Sequence, residues 1–179
     1  MTQVGSVYGQ ALYELALSEE LSASILAELN TLHQCFEAEP EFIRLLNCPS
    51  LTKQERCNIL DESFRGKVHL YVLNFLKILT EKGYIRHFHH CCEAYRDIYY
   101  RDNGILPVEA VTAVPLAPDQ LKRLTQKLTT ITGKQIELRG RVDPSCLGGV
   151  RLNYDGKQLD DTVEHRLEAV RSMLKNTVL

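Results

Sequence analysis

The sequence has no marked excess of charge: 21 Lys and Arg stand against 23 Asp and Glu, a net charge of −2 at pH 7. Nucleic-acid recognition needs a clustered basic face, and this balance gives no electrostatic reason to expect one. A long apolar run is missing too. The most apolar window, Val68 to Leu79, is interrupted by His69, Asn74 and Lys77, and is too short and too polar to span a bilayer. Met1-Thr2-Gln3-Val4 leads almost at once into helical pattern, with neither a basic-apolar leader nor an Arg-rich transit segment. Six cysteines in 179 residues, without a signal peptide, fit a reducing compartment better than a disulfide framework. Internal repeats and low-complexity linkers are also lacking. What remains is the balance of an ordinary globular protein, 44% hydrophobic and 25% charged.

The first hundred residues read as successive helices. Ser6 is the expected N-cap of the first, with Tyr8, Ala11, Leu12, Leu15 and Ala16 on one side. Ile25, Leu29, Leu32 and Phe36 give the second its apolar stripe. Phe42, Leu45 and Leu46 mark a short third, closed by Cys48-Pro49. Thr52 with Glu55 forms a capping box, Cys57, Leu60 and Phe64 follow on one face, and Gly66 is placed to end that helix. Val68 to Leu79 is apolar around most of its circumference and Gly83 ends it. A last helix from Ile85 to about Arg101 is expected to bury Phe88, Cys92, Tyr95 and Tyr99.

At Asn103-Gly104 the period changes. Leu106, Val108, Ala110 and Thr112 alternate with Glu109 and Val111, so a strand replaces the helix. Pro118 suits the first turn of a helix that buries Leu121, Leu124, Leu128 and Ile131, with Gly133 at its end. Ile136 and Leu138 predict a second strand, and Val150, Leu152 and Tyr154 a third. Asp155-Gly156 is a two-residue hairpin turn, because type I′ geometry needs positive φ at both central residues. Lys157 to Asp160 returns as the fourth strand. Asp161 with Glu164 opens a final helix whose apolar face is Val163, Leu167, Val170 and Leu174. The predicted fold is α+β in two domains: a six-helix bundle over residues 1–104, then a small β-α-β-β-β-α domain over 105–179.

Candidate chemistry is sparse. His87, His89, His90, Cys91 and Cys92 crowd together, and His87 and Cys91 share a helix face. A structural zinc needs four ligands, so no metal centre is expected, and Cys92 reads as a small core residue. Gly148-Gly149 lacks the spacing and the Lys-Ser/Thr of a phosphate loop, and leads into a strand. Asp160-Asp161 reads as negative charge at a helix N-terminus. No catalytic residue and no cofactor is expected. The alternatives are a nucleic-acid-binding or adaptor module on the C-terminal domain, and an enzyme built on the Cys/His cluster.

Order and spacing across the whole chain then point further. VDPSCLGGVRLNYDGKQLDDTVEHRLEAVRSML, Val142 to Leu174, is similar to the C-terminal signature of the delta subunit family of F-type ATP synthase, the family of the oligomycin-sensitivity-conferring protein. Asp143, Gly148, Gly149, Leu159, Asp160, Thr162, Val163, Arg166 and Leu167 carry the likeness, and Asp161 stands where the family has Gly. Tyr8 to Ala16 resembles the family's opening motif, with Gly9 for its Ala. Asn74 to Ile85 resembles its NFLxxL segment, with Lys82 and Tyr84 for Asn and Arg. The resemblance implies a stator component at the cytoplasmic face of a bacterial membrane. It implies that the helical domain binds N-terminal helices of alpha subunits and the C-terminal domain binds the b-subunit stalk. It also implies that Tyr8, Ala11 and Ile78 line the groove for the alpha-subunit helix, without nucleic-acid binding or direct membrane insertion. Because each side of Asn103-Gly104 has its own apolar set, limited proteolysis is expected to cut first between Arg101 and Leu106 and to leave residues 1–104 folded.

Overall fold

A computed structural model describes residues 3–162, and the final helix expected from Asp161 to Leu174 lies outside them apart from its first two residues. The chain divides into two compact units, Met1–Tyr99 and Tyr100–Leu179. Helices and a sheet share it, with the helices first: α1 (Gln3–Ser18), α2 (Ser22–Ala38), α3 (Pro40–Leu46), α4 (Lys53–Phe64), α5 (Leu70–Glu81) and α6 (Phe88–Asp102). Strand β1 (Ile105–Thr112), helix α7 (Pro118–Thr132) and strands β2 (Gln135–Val142), β3 (Val150–Tyr154) and β4 (Lys157–Asp160) follow.

In the helical unit the apolar stripes of α2 and α5 are buried as their spacing requires. Ile25, Leu29, Leu32 and Phe36 line up with Val72, Leu76 and Leu79 in the core. Four phenylalanines from four helices join there. Phe36 of α2 lies 5.7 Å from Phe42, 6.0 Å from Phe64 and 5.0 Å from Phe88, in stacked or edge-on geometries that favour aromatic contact. Tyr95 of α6 is fully buried, meets Tyr13 edge-on at 5.3 Å, and donates its hydroxyl to the Ser22 carbonyl at 2.9 Å. That bond removes the penalty of burying a phenol. The Thr52–Glu55 capping box forms in full, with the Glu55 amide on Thr52 Oγ1 at 3.2 Å and the Thr52 amide on Glu55 Oε2 at 2.8 Å.

Several local expectations are corrected. Ser6 lies inside α1 rather than capping it. α5 begins at Leu70, because His69 accepts the Tyr71 amide through Nδ1 and acts as the cap that leaves Val68 outside. The expected helix from Ile85 is broken: Ile85–His87 forms a 3-10 turn before α6. Leu45 of α3 is exposed and Tyr99 is half-buried. The largest change concerns α1. Its buried stripe is Gly5, Gly9, Leu12, Tyr13 and Ala16, while Ala11 and Leu15 point outward. The two glycines explain the rotation. A Cβ at Gly5 would sit 2.6 Å from His90 Cβ, and one at Gly9 would sit 2.6 Å from the Cys91 carbonyl oxygen and 2.8 Å from Ala94 Cβ. α1 therefore meets α6 at a separation that only hydrogen side chains permit.

The second unit is built on a four-stranded sheet in the order β2-β1-β3-β4. β1 and β2 are parallel, joined through α7, whereas β3 is antiparallel to both β1 and β4. Register sets the core: Leu106 pairs with Ile136, Val108 with Leu138 and Ala110 with Leu152. With side chains alternating along each strand, these pairs share one face, against which Leu124 and Leu128 of α7 pack. Ile131 does not join them and is 79% exposed. Asp155 and Gly156 have φ of 47° and 69°, the positive pair that a type I′ turn requires. Gly133 ends α7 in the left-handed region.

The glycine contact sets a test in which two effects have opposite signs. In an unconstrained helix Gly9→Ala adds roughly 1 kcal/mol of stability through propensity. Here the new methyl meets backbone, and overpacking of this kind costs about 1–3 kcal/mol. Gly9→Ala is expected to lower the thermal unfolding midpoint, and a raised midpoint would show that α1 and α6 can separate without cost.

Candidate functional site

The rotation of α1 determines what it shows to solvent. Successive residues turn by about 100°, so Ala11 and Leu15 sit roughly a quarter-turn from their buried neighbours Leu12 and Ala16. Ala11 is exposed, Leu15 is 41% exposed and Tyr8 is half-buried. Tyr8 rests its ring edge-on against Tyr84, just beyond α5, at 5.9 Å. On α5 the core takes Val72, Leu73, Phe75, Leu76 and Leu79, leaving Leu70, Asn74 and Ile78 as an outward row at i, i+4 and i+8. Ile78 is 45% exposed. None of Tyr8, Ala11 and Ile78 lies in the helical core. These surfaces can bury apolar area against another molecule, and exposed apolar patches of this kind mark interaction sites. Leu15, Leu70 and Tyr84 also belong to them and escaped the sequence reading. For Leu15 the reason is that the glycines, invisible to a hydrophobic count, define the core side.

The Cys/His segment divides into separate environments. Cys91 and Cys92 are buried, and burial pushes the Cys91 thiol up to about 11 and the Cys92 thiol higher still. Protonated thiols of this kind are poor nucleophiles and poor ligands. Cys92 packs as the small apolar residue expected. His87 shares a helix side with Cys91 in sequence, but its ring faces Tyr84 and His90. All six cysteines are free. Among the described residues, no three or more His, Cys, Asp or Glu side chains converge on a metal position.

In the sheet unit the Gly-Gly and Asp-Asp signature serves the backbone. Gly149 has a φ of 83°, and a Cβ there would run into the Asp161 carbonyl and lie 2.9 Å from Thr162 Cα. The entry to β3 and the exit from β4 thus touch main chain to main chain. Asp160 closes this joint: Oδ1 accepts the Thr162 amide at 3.0 Å and its hydroxyl at 2.6 Å, and Oδ2 takes Arg151 Nε at 2.7 Å. These bonds, Thr162 foremost, hold the carboxyl far below the usual carboxylate range. Asp160 accepts the Thr162 amide, and the expected Asp161–Glu164 box lies outside the described residues.

Fold and surface together define a class: a helical unit followed by a small mixed sheet, with apolar side chains displayed on two helices of the first. The family model for the ATP synthase delta (OSCP) subunit matches residues 4–174. The ATP synthase subunit delta of Alkaliphilus oremlandii is 32% identical over 176 residues, covering 98% of each chain. That of Gloeobacter violaceus is 32% identical over 174 residues, covering 96% of this chain and 94% of the relative. A chain in the cryo-EM structure of the Toxoplasma gondii mitochondrial ATP synthase hexamer superposes with a TM-score of 0.74 at 21% identity, over 97% of this chain and 98% of that one, and so shares the fold. The chain belongs to the ATP synthase delta (OSCP) subunit family, whose members are components of the peripheral stalk. No helix among the described residues is long and apolar enough to cross a membrane.

The Asp160 joint gives a pH prediction. Its folded-state value is depressed, so the stability it contributes is present above the ordinary Asp value of about 3.9 and is lost as pH falls below it toward the folded value. Asp160→Asn is expected to unfold more readily than the parent near neutral pH. The difference should narrow once the unfolded-state carboxyl becomes protonated, as followed by denaturant midpoints across the acid range.

Proposed function

We propose that the chain is the non-catalytic stator link of an F-type ATP synthase, holding the catalytic head against rotor torque so that proton-driven rotation is coupled to ATP synthesis. The observation that carries this reading is the set of outward apolar side chains on α1 and α5, Leu15, Leu70 and Ile78 among them, in a chain of the delta (OSCP) family. In this reading residues 1–104, as a six-helix bundle, bind amphipathic N-terminal helices of the alpha subunits. Tyr8, Ala11 and Ile78 line the docking surface. The mode is helix-in-groove: apolar anchors supply affinity, and the single methyl of Ala11 keeps the floor shallow. Residues 105–179, as a β-α-β-β-β-α domain, bind the b-subunit stalk, and the protein stays peripheral on the cytoplasmic face of a bacterial membrane through the complex. The link needs no bond-making side chain, only two surfaces with slow release.

The test measures affinity and stability together. Tyr8→Ala is expected to weaken an alpha N-terminal peptide by about 2 kcal/mol, or about 30-fold, the size of a hot-spot truncation. It should leave the melting temperature of the free protein nearly unchanged. Ala11→Trp should block the peptide by filling the floor, and deleting residues 105–179 should abolish b-subunit binding while sparing the peptide. A strongly destabilised Tyr8→Ala protein that bound the peptide normally would overturn this assignment.

A further inference from the structure

Helix α5 starts differently from α4. α4 closes its own N-terminus, because Thr52 and Glu55 stand three residues apart and each bonds the other's backbone. α5 has its N-cap residue in His69, but the position three residues on is Val72, whose side chain has no acceptor to return. The missing carboxylate comes from another helix. Glu28 of α2 lies 41 residues earlier and accepts the His69 amide through Oε2 at 2.8 Å. His69 Nδ1 in turn accepts the Tyr71 amide at 3.3 Å, and the Tyr71 ring lies 4.9 Å from the imidazole. The two bonds of a capping box are thus present, divided between α2 and α5.

On the docking reading given above, we propose that Glu28 is a positioning residue for the partner-binding face of α5: it anchors the start of that helix to α2 and so holds Leu70 in place. Leu70 is the first residue of α5 and 62% exposed, at one end of the outward row that continues through Asn74 and Ile78. Ile78 sits between turns whose other residues, Phe75, Leu76 and Leu79, are buried, so the core holds it. Leu70 has no buried residue before it in the helix. The first amides of a helix have no partner within it, and the order of the first turn depends on its caps. Glu28 suits this task because its own place is fixed. Its neighbours on α2, Ile25, Leu29 and Leu32, are all in the core. Its negative charge also meets the positive end of the α5 dipole. A turn that frays in the free protein has to re-form when a partner docks, and the ordering lowers affinity. Glu28 touches no part of the outward row by hydrogen bond, and acts on it through the backbone of His69.

The experiment uses the full chain and single variants at a temperature where all are folded. It reads backbone amide exchange at the start of α5 and affinity for an alpha N-terminal peptide. Glu28→Ala is expected to speed exchange of the His69 and Tyr71 amides about fivefold, as for loss of a cap, and to weaken the peptide by up to about the same factor. Glu28→Gln keeps an acceptor oxygen and His69→Asn keeps a good cap, so both should stay close to the parent in exchange and affinity. In a Leu70→Ala background, Glu28→Ala should cost little further affinity, because its effect passes through Leu70. A purely structural role would lower the melting temperature and leave that cycle additive. The proposal is overturned if Glu28→Ala exposes the His69 amide yet binds the peptide as tightly as the parent, or if the Glu28 and Leu70 effects simply add. A parent that does not bind the peptide at all overturns the docking reading itself, and the exchange rates, which need no partner, then decide alone whether Glu28 holds the start of α5.

Discussion

Much of the helical unit depends on how closely α1 approaches α6. Gly5 and Gly9 place α1 against the backbone of His90 and Cys91. Glycine at two positions of a helix costs roughly 1 kcal/mol each in propensity, and the return is contact between main chains that any Cβ would hold apart. That contact fixes the rotation of α1. Leu12, Tyr13 and Ala16 turn into the core, Tyr13 finds the ring of Tyr95, and the rest of the apolar complement of the helix is left facing out. The outward apolar surface of α1 is therefore a consequence of core packing. It exists because the core can use only one side of α1.

The sheet unit shows the same economy at a smaller scale. Gly149 lets the start of β3 lie against the chain leaving β4, and the Asp160 carboxylate binds that chain through Thr162 and its own sheet through Arg151. Here the residues that most resemble a chemical signature, a glycine pair and an acidic pair, are occupied by backbone geometry. This explains how a motif can be distinctive through backbone geometry. It specifies a joint between strands, which a subunit carrying mechanical load has reason to keep stiff.

In the docking mode proposed above, carrying the apolar contacts on helices instead of loops has a physical advantage. A row at i, i+4 and i+8 on α5 keeps its spacing because the opposite face is locked into the core. Affinity from such rows comes from buried apolar area and shape, which resist salt better than exposed ion pairs do. The near-neutral net charge is in keeping with recognition of this kind.

Features held in a few consecutive residues were legible from the sequence alone. The Thr52–Glu55 box, the glycine stops at Gly66, Gly83 and Gly133, the Asp155-Gly156 turn and the change of period after Asn103-Gly104 all occur where local chemistry puts them. Each is decided by φ preference or by a side chain bonding its own neighbouring backbone, so no distant partner is needed. The off-row placement of Ile78 was legible for a related reason, since helical period alone sets it apart from Val72, Phe75 and Leu79. What only the tertiary structure decided were choices between faces and meetings between distant residues. Hydrophobic period put Leu15 with the core of α1 and Ile131 with that of α7, but period specifies a stripe without specifying what covers it. Glycine adds nothing to a hydrophobic stripe, yet Gly5 and Gly9 marked where α1 lies against α6. Glu28 and His69, 41 residues apart, share no local pattern at all. Their meeting follows from how α2 and α5 pack, and packing is a property of the whole chain.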